Sequence, residues 1–546
     1  MRMASSHSSK PAASKRKSVT TIAAEQYPEY KGMPLHRNLK DNLQFLRDEL
    51  GNSFDLVVRE IGTGAAFQKA VGIVFMDGLV QEENVSDFII RKVLAEIDRP
   101  ELQDNDDPHS VLHLFRDKLL SIGGFLEVRE WNTVIGPLLA GVTILFIDGI
   151  DTAIAACTRG GDRRPVLEPT SQTVIRGPRE AFTESIRTNT SLIRRRIKSP
   201  KLRLEQLVVG TVSHTDVAIM YLEEVAEKKL VDEVRARIAN IRIDSIMESG
   251  YIEEFIQDGT WTPFPTVYNS ERPDAIAAGI LEGRVAIIVD GTPFVLLVPV
   301  TMSSFFQAPE DYYQRYDISS LLRLLRYFSF GIALVLPSLY VAVVSYHQEM
   351  IPTSLLLKLA AQREGVPFPA FVEAFIMEII FEILREAGVR MPAVVGNTIS
   401  IVGALVLGQA AVEAGIVSSA MVIIVALTAI TSFVSPAYNL AITARMLRFG
   451  LLLAASLLGI YGIAVCLLII LLHLCSLRSF GIPYLVPFVP LKTSVWKDIF
   501  VRAPIWSRHS RPPLLTRNNN QPVSHPVKSR EMKTQDEETA GDDDDR

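Results

Sequence analysis

Three cysteines in 546 residues leave no disulfide framework to build. Cys466 and Cys475 fall in or beside an apolar block and Cys157 stands alone, so packed free thiols are expected, with no metal site. The first 37 residues are basic and small-polar and contain no apolar core of the length a cleavable secretory signal requires. A net charge of −5, without a basic patch interleaved with aromatics, argues against nucleic acid as a partner. The first 310 residues also lack a P-loop, a GxGxxG after a strand, an HExxH and a GxSxG. His214 beside Asp216 reads as a loop between strands. No nucleophile, base or metal constellation remains, so neither an enzyme nor a cofactor is expected.

What the chain does have is a change of character near residue 327. Tyr327 to Tyr346 carries no charge and suffices to cross a bilayer, which needs about 20 apolar residues. Ala393 to Ala411, Ile416 to Val434 and Leu451 to Leu472 are further candidates. Arg315, Arg323 and Arg326 just before the first span favour a cytosolic soluble half. Four spans return the tail to the cytosol; five place Arg445 and Arg448 inside and the tail outside.

Within the soluble half, β-branched runs alternate with helical periods. Strands are expected at Phe54 to Ile61, Ala70 to Met76, Thr143 to Ile147, Gln206 to Thr211, Ala218 to Leu222 and Val285 to Val289. Helices are expected at Val85 to Ile97, Val111 to Ile122, Ala181 to Ile197, Val231 to Ile241 and Asp274 to Leu281. Gly141-VTILFI-Asp148-Gly149 and Gly283-RVAIIV-Asp290-Gly291 share one spacing, an apolar strand entering an Asp-Gly turn. Thr152 to Ala156 and Pro293 to Val298 would return as partner strands, which suggests a duplication.

The fold class is therefore α+β/α, with two similar α/β subdomains followed by an α-helical polytopic membrane domain. The divisions are a disordered basic extension at 1–37, subdomain 1 at 38–158, a linker at 159–178, subdomain 2 at 179–312, a helical membrane domain of four or five spans at 313–490, and a polar, acidic-ended tail at 491–546, disordered by composition.

Three stretches hold unusual densities of charged and aromatic residues. They are RGPREAFTESIRTNTSLIRRRI from Arg176, where Glu184 and Arg187 at i,i+3 can pair; GRVAIIVDGTPFVLLVPV with EDYYQR from Glu310; and PFPAFVEAFIMEIIFEILREAGVRMP from Pro367 with IVGALVLGQAAVEAGIVS. Together they closely resemble the A subunit of GerA-type bacterial spore germinant receptors, over about residues 40 to 490. The resemblance implies a multi-pass subunit of the spore inner membrane, its soluble half on the spore-core side, acting with a transporter-like B subunit and a lipoprotein C subunit. It implies an oligomeric, pentameric, ligand-gated ion channel, with the nutrient held by the B subunit.

On a helix turning about 100° per residue, Thr398, Val402, Leu405, Gln409 and Glu413 form one stripe with polar ends and an apolar middle. Small residues on the opposite side suit close helix packing. Around an axis, Val402 and Leu405 would form an apolar gate, with Gln409 and Glu413 offering oxygens to a cation. Alternatively, the stripe packs against neighbours or lipid. Glu378, Glu382 and Glu386 recur one turn apart, which makes a lipid-facing span expensive. They would lie along the interface, line a vestibule, or pair with Arg363, Arg390, Arg445 or Arg448. The competing functions are a non-conducting sensor or scaffold and a secondary-transporter partner.

Overall fold

The computed structural model describes residues 27–61, 70–97, 125–160, 169, 172–390, 408–489 and 496–507. In subdomain 1, α1 (Leu39–Glu49) leads into the hairpin β1 (Leu56–Ile61) and β2 (Val71–Met76). A wide helical turn at Asn84–Ile90 continues as α2 (Arg91–Ile97), followed by β3 (Phe125–Val128), α3 (Trp131–Leu139) and the hairpin β4 (Thr143–Ile147) and β5 (Ala153–Ala156). The expected helix at 111–122 lies outside the described residues.

Subdomain 2 repeats this plan. It comprises α4 (Ile186–Arg196), β6 (Leu202–Val209), β7 (Thr215–Leu222), α5 (Lys228–Ala239), α6 (Ser249–Ile256), β8 (Tyr268–Ser270), α7 (Pro273–Leu281), β9 (Val285–Val289) and β10 (Val295–Val298). The strand orders are β1-β2-β4-β5-β3 and β6-β7-β9-β10-β8, every neighbouring pair antiparallel. Side chains alternate between sheet faces. Val71, Ile73 and Phe75 pack toward Val85, Ile89 and Val93, whereas Val74 and Met76 pack toward α1 and α3. Both faces of each sheet are thus covered, which explains the uninterrupted apolar runs.

The Asp-Gly turns do the same work twice. Asp148 Oδ1 accepts the backbone N–H of Leu39 at 2.9 Å, and Asp290 Oδ1 accepts that of Ile186 at 3.0 Å. Each carboxylate satisfies an unpaired donor in the first turn of a helix. Gly149 and Gly291 adopt φ of 83° and 90° and donate to the carbonyls of Arg37 and Glu184, both at 2.8 Å. Asn42 brackets His36 through its backbone N–H and carbonyl, as Asn189 brackets Thr183. Shared topology, cap and bracket make the two subdomains structural repeats.

Arg194 of α4 joins them. It is buried, and its Nε and Nη2 donate to the two Asp55 oxygens at 2.9 Å each. Arg187 pairs with Asp77 and Glu82 of subdomain 1, not with Glu184. Glu184 precedes Ser185, the N-cap of α4, so the two residues never share a helical face.

The helical half begins with α8 (Tyr316–Tyr346), followed by α9 (Thr353–Arg363), α10 (Ala370–Arg390), a short α11 (408–413), α12 (Ser419–Phe433) and α13 (Tyr438–Ser476). Two of these, α8 and α13, are long and apolar enough to cross a membrane. The expectation that Leu451 to Leu472 forms one continuous span is corrected by Gly459, whose φ of 61° and ψ of −140° break α13 into two arms. A straight helix of 39 residues would separate its ends by about 58 Å. Instead Leu440 and Leu474 share one apolar cluster, so α13 is a helical hairpin. Only glycine adopts that backbone conformation readily. A Cβ there would also meet the His347 ring at 2.7 Å.

Two boundaries also shift. Tyr27, Tyr30 and Leu35, assigned above to the N-terminal extension, are buried in the first core. Residues 496–507, assigned to the tail, pack at the base of α8: the Phe500 ring lies 5.2 Å from that of Tyr327, and Ile499 is buried.

Candidate functional site

The acidic helix α10 places its carboxylates against arginines of the first arm of α13. Glu378 Oε2 accepts from Arg448 Nη1 at 2.6 Å, with both side chains at most 2% exposed. One turn on, Glu382 Oε2 accepts from Arg445 Nη1 at 2.6 Å. Glu386 pairs with Arg390 of its own helix at 2.7 Å, at the surface. Glu373, on another face, is fully buried and accepts the backbone N–H and hydroxyl of Ser418 at 2.6 and 2.5 Å. Arg363 approaches it at 3.9 Å. Arg385 donates to Ser432 Oγ at 3.0 Å and lies over the Phe433 ring.

Arg448 has a second task. Pro337 stands inside α8 and has no N–H to give the carbonyl four residues earlier, that of Ala333. Arg448 Nε donates to that oxygen at 2.8 Å. One guanidinium therefore neutralises Glu378 and repairs the break that the proline makes.

Contacts between the helices fix their directions. Ser418–Glu373 at one end and Ser432–Arg385 at the other show that α10 and α12 run parallel. Val341 and Met421 share a cluster near the far end of α8, so α12 returns toward the soluble half. The first arm of α13 then ascends beside α8, as Arg448–Ala333 and Tyr346–Ser456 show, and the second arm descends.

In the proposed pore stripe, Thr398, Val402 and Leu405 lie outside the described residues. Gln409 and Glu413 fall on α11, where Gln409 Nε2 donates to Glu413 Oε1 at 2.9 Å. Both are exposed, and among the described residues Glu413 has no ion-pair partner. The buried Glu378–Arg448 and half-buried Glu382–Arg445 pairs of α10 and this open pair of α11 are thus different environments on neighbouring segments.

Among the described residues, the soluble half meets the helical half at three places. At the base of α8, Asp311 receives Arg326 at 2.8 Å and Arg323 at 3.1 Å, and Arg323 also donates to the Asp498 carbonyl of the C-terminal strap. Next, the turn into α13 brings Ala437 and Leu440 against Phe264 and Phe305. Finally, at the end of the second arm, His473 bonds Thr262 at 2.8 Å and Ser479 donates to the Thr266 carbonyl at 2.7 Å. Asp498 escaped the sequence reading, although VWKDIFVRAPIW, an aromatic run within a polar tail, marks the strap.

Residues 44–514 match the family described as Bacillus/Clostridium GerA spore germination protein. Spore germination protein KA of Bacillus subtilis (strain 168) is 47% identical over 475 residues, spanning 87% of this chain and 86% of the relative. Spore germination protein GerLA of Bacillus cereus is 41% identical over 485 residues, spanning 89% and 97%. The "Uncharacterized membrane protein YfkQ" of B. subtilis is 47% identical over 488 residues, spanning 89% and 93%. Among solved structures, the N-terminal domain of the A subunit of the Bacillus megaterium spore germinant receptor GerK3 is 38% identical. It matches 49% of this chain and 96% of that chain, with a TM-score of 0.39.

Proposed function

Because this chain belongs to the GerA family of spore germination proteins, we propose that it is the A subunit of a nutrient-responsive germinant receptor and that its copies assemble around an axis as a ligand-gated cation channel. It acts with a transporter-like B subunit, which holds the nutrient, and a lipoprotein C subunit, in the spore inner membrane. The assembly is a pentamer.

The observation that carries the channel reading is the contrast between the two acidic sets. Glu378 and Glu382 are consumed by arginines inside one chain, which assigns them to holding the bundle together. Gln409 and Glu413 remain exposed on a single chain, with oxygens free to face an axis. Rings of such oxygens at one mouth, and an apolar ring of Leu405 above them, are the ingredients of a selective, dewetting gate.

In the proposed arrangement the chain crosses the bilayer six times: by α8, α10, the segment ending in α11, α12 and the two arms of α13. This arrangement exceeds the four or five crossings expected from hydropathy because it counts α10 as a span and Gly459 divides the last apolar block into two. An even number returns the C-terminal strap to the side of the soluble half, where Asp498 meets Arg323.

The test is ion flux through liposomes carrying this chain with its B and C partners. Wild type is expected to pass cations only with nutrient, and Leu405→Ala without it. Absence of flux in every combination would replace the channel by a non-conducting sensor.

A further inference from the structure

A cavity of about 400 Å³ opens where subdomain 2 meets the first turn of α13. Its walls come from α6, β8, the turn before β10 and Ala437–Asn439, so both halves of the chain enclose it. Phe294, Phe305, Tyr268 and Tyr438 supply aromatic surface, and Glu248 and Glu253 supply carboxylates.

The two carboxylates are not equivalent. Glu248 is saturated, accepting from Ser249 Oγ at 2.6 Å, Gly250 N at 2.5 Å and Thr292 Oγ1 at 2.8 Å. Glu253 has only the Asn269 amide to stabilise its charge, and the charges nearest it, Glu248 and Glu254, are also negative. Burial, reinforced by those two neighbours, pushes its carboxyl up to about 7. An ionised Glu253 therefore faces a concave, partly apolar space with no cation of its own among the described residues.

A charge so placed favours a cation brought from outside. Aromatic walls select which kind. A bare divalent ion wants six or more oxygens around it, whereas an ammonium with an organic body gains from ring faces and apolar surface together. The amides of Asn269, Asn439 and Gln172 add acceptors around such a headgroup.

We propose that this cavity binds a small organic ammonium ion, with Glu253 as its counter-charge and the aromatic residues as the wall around its carbon skeleton. The site is separate from the pore stripe, and its occupancy does not depend on the channel reading. A ligand there touches α6 and the start of α13 at once, bridging the soluble half to a helix of the membrane half.

The test uses the full chain in lipid nanodiscs, with n-butylammonium chloride titrated calorimetrically at pH 8 and n-butanol as the neutral control at matched ionic strength. Saturable binding of the ammonium, with none of the alcohol, is expected. Glu253→Gln should weaken it by about tenfold or more and Phe294→Ala by about threefold, while Glu254→Gln should stay within about twofold. Lowering the pH from 8 to 6 should cost wild type about tenfold, as the counter-charge is protonated, and leave the Gln variant unmoved. No binding by wild type at pH 8, or equal binding by Glu253→Gln, overturns the proposal. Displacement by an equal concentration of KCl would identify an inorganic cation site and overturn the ligand class. Because Phe294 lines the cavity from the turn before β10 and not from α6, its variant keeps the test valid should the Gln variant fold poorly.

Discussion

Replacing Arg448 by methionine should separate its two tasks. In the single variant, Glu378 is left as a buried carboxylate without its partner, and the Ala333 carbonyl loses its donor. Stranding one member of a buried pair costs about 3–5 kcal/mol. In Glu378→Met/Arg448→Met both charges are gone and an apolar pair of similar volume remains, so the electrostatic cost disappears. The Ala333 carbonyl is still orphaned, at about 1–3 kcal/mol. Adding Pro337→Ala supplies the missing N–H and should recover most of that residue. The single variant bears both costs, about 4–8 kcal/mol together; at about 2–4 °C per kcal/mol for a domain of this size, melting temperatures in detergent should fall by roughly 8–32 °C for the single variant and about 2–12 °C for the double. The triple variant should return to within a few degrees of Pro337→Ala alone. A single variant as stable as wild type would refute the ion-pair argument. A double variant that Pro337→Ala fails to rescue would refute the repair of the proline break.

Gly459→Ala should destabilise the helical half by about 1–3 kcal/mol from backbone strain alone, with a further loss from the clash with His347. Gly459→Ala/His347→Ala should recover only the second part; monodisperse yield and melting temperature in detergent are the readouts. Glu253 gives a pH signature. Its folded carboxyl titrates near 7, against an ordinary value of 4.5, so the native state holds a proton that the unfolded chain has released. Stability from this group is present below about 4.5 and lost as pH rises through about 7. Relative to wild type, Glu253→Gln should therefore gain melting temperature as pH is raised from 5 to 8; parallel curves would remove the assignment.

The soluble half was largely legible, because its signals are local. The Asp-Gly turns, the apolar runs of β4 and β9 and the helical period of α7 all recur within one or two residues of expectation. Strand β6 spans Leu202–Val209, beginning before the expected Gln206, since Arg203 and Glu205 sit on an edge strand where charges are tolerated. The short edge strands β3 and β8 escaped because four and three residues carry too little pattern.

In the helical half, hydropathy identified apolar blocks but not their paths. Gly459 lies within an uninterrupted apolar run, and apolarity does not report a residue that leaves the helical region. Nor did length carry a clue: the apolar block Leu451 to Leu472 is close to the roughly 20 residues of one crossing, and Arg445 and Arg448 lie in the part of α13 that precedes it. The partners of Glu378 and Glu382 were among four arginines considered, and only three-dimensional packing decides between them. Nothing in the sequence linked Arg448 to Pro337, because a missing N–H becomes visible only when another chain segment supplies the donor.

The three attachments between the halves have a mechanical consequence. A body joined to a platform through one linker can swing freely. A body seated at the base of α8, at the turn into α13 and at the end of its second arm is restrained as on a tripod. Displacing any one foot tilts the whole platform, so a small shift of the soluble repeats reaches α8 and both ends of α13 together, and lengthening the connection at 313–315 alone would leave two feet still in place.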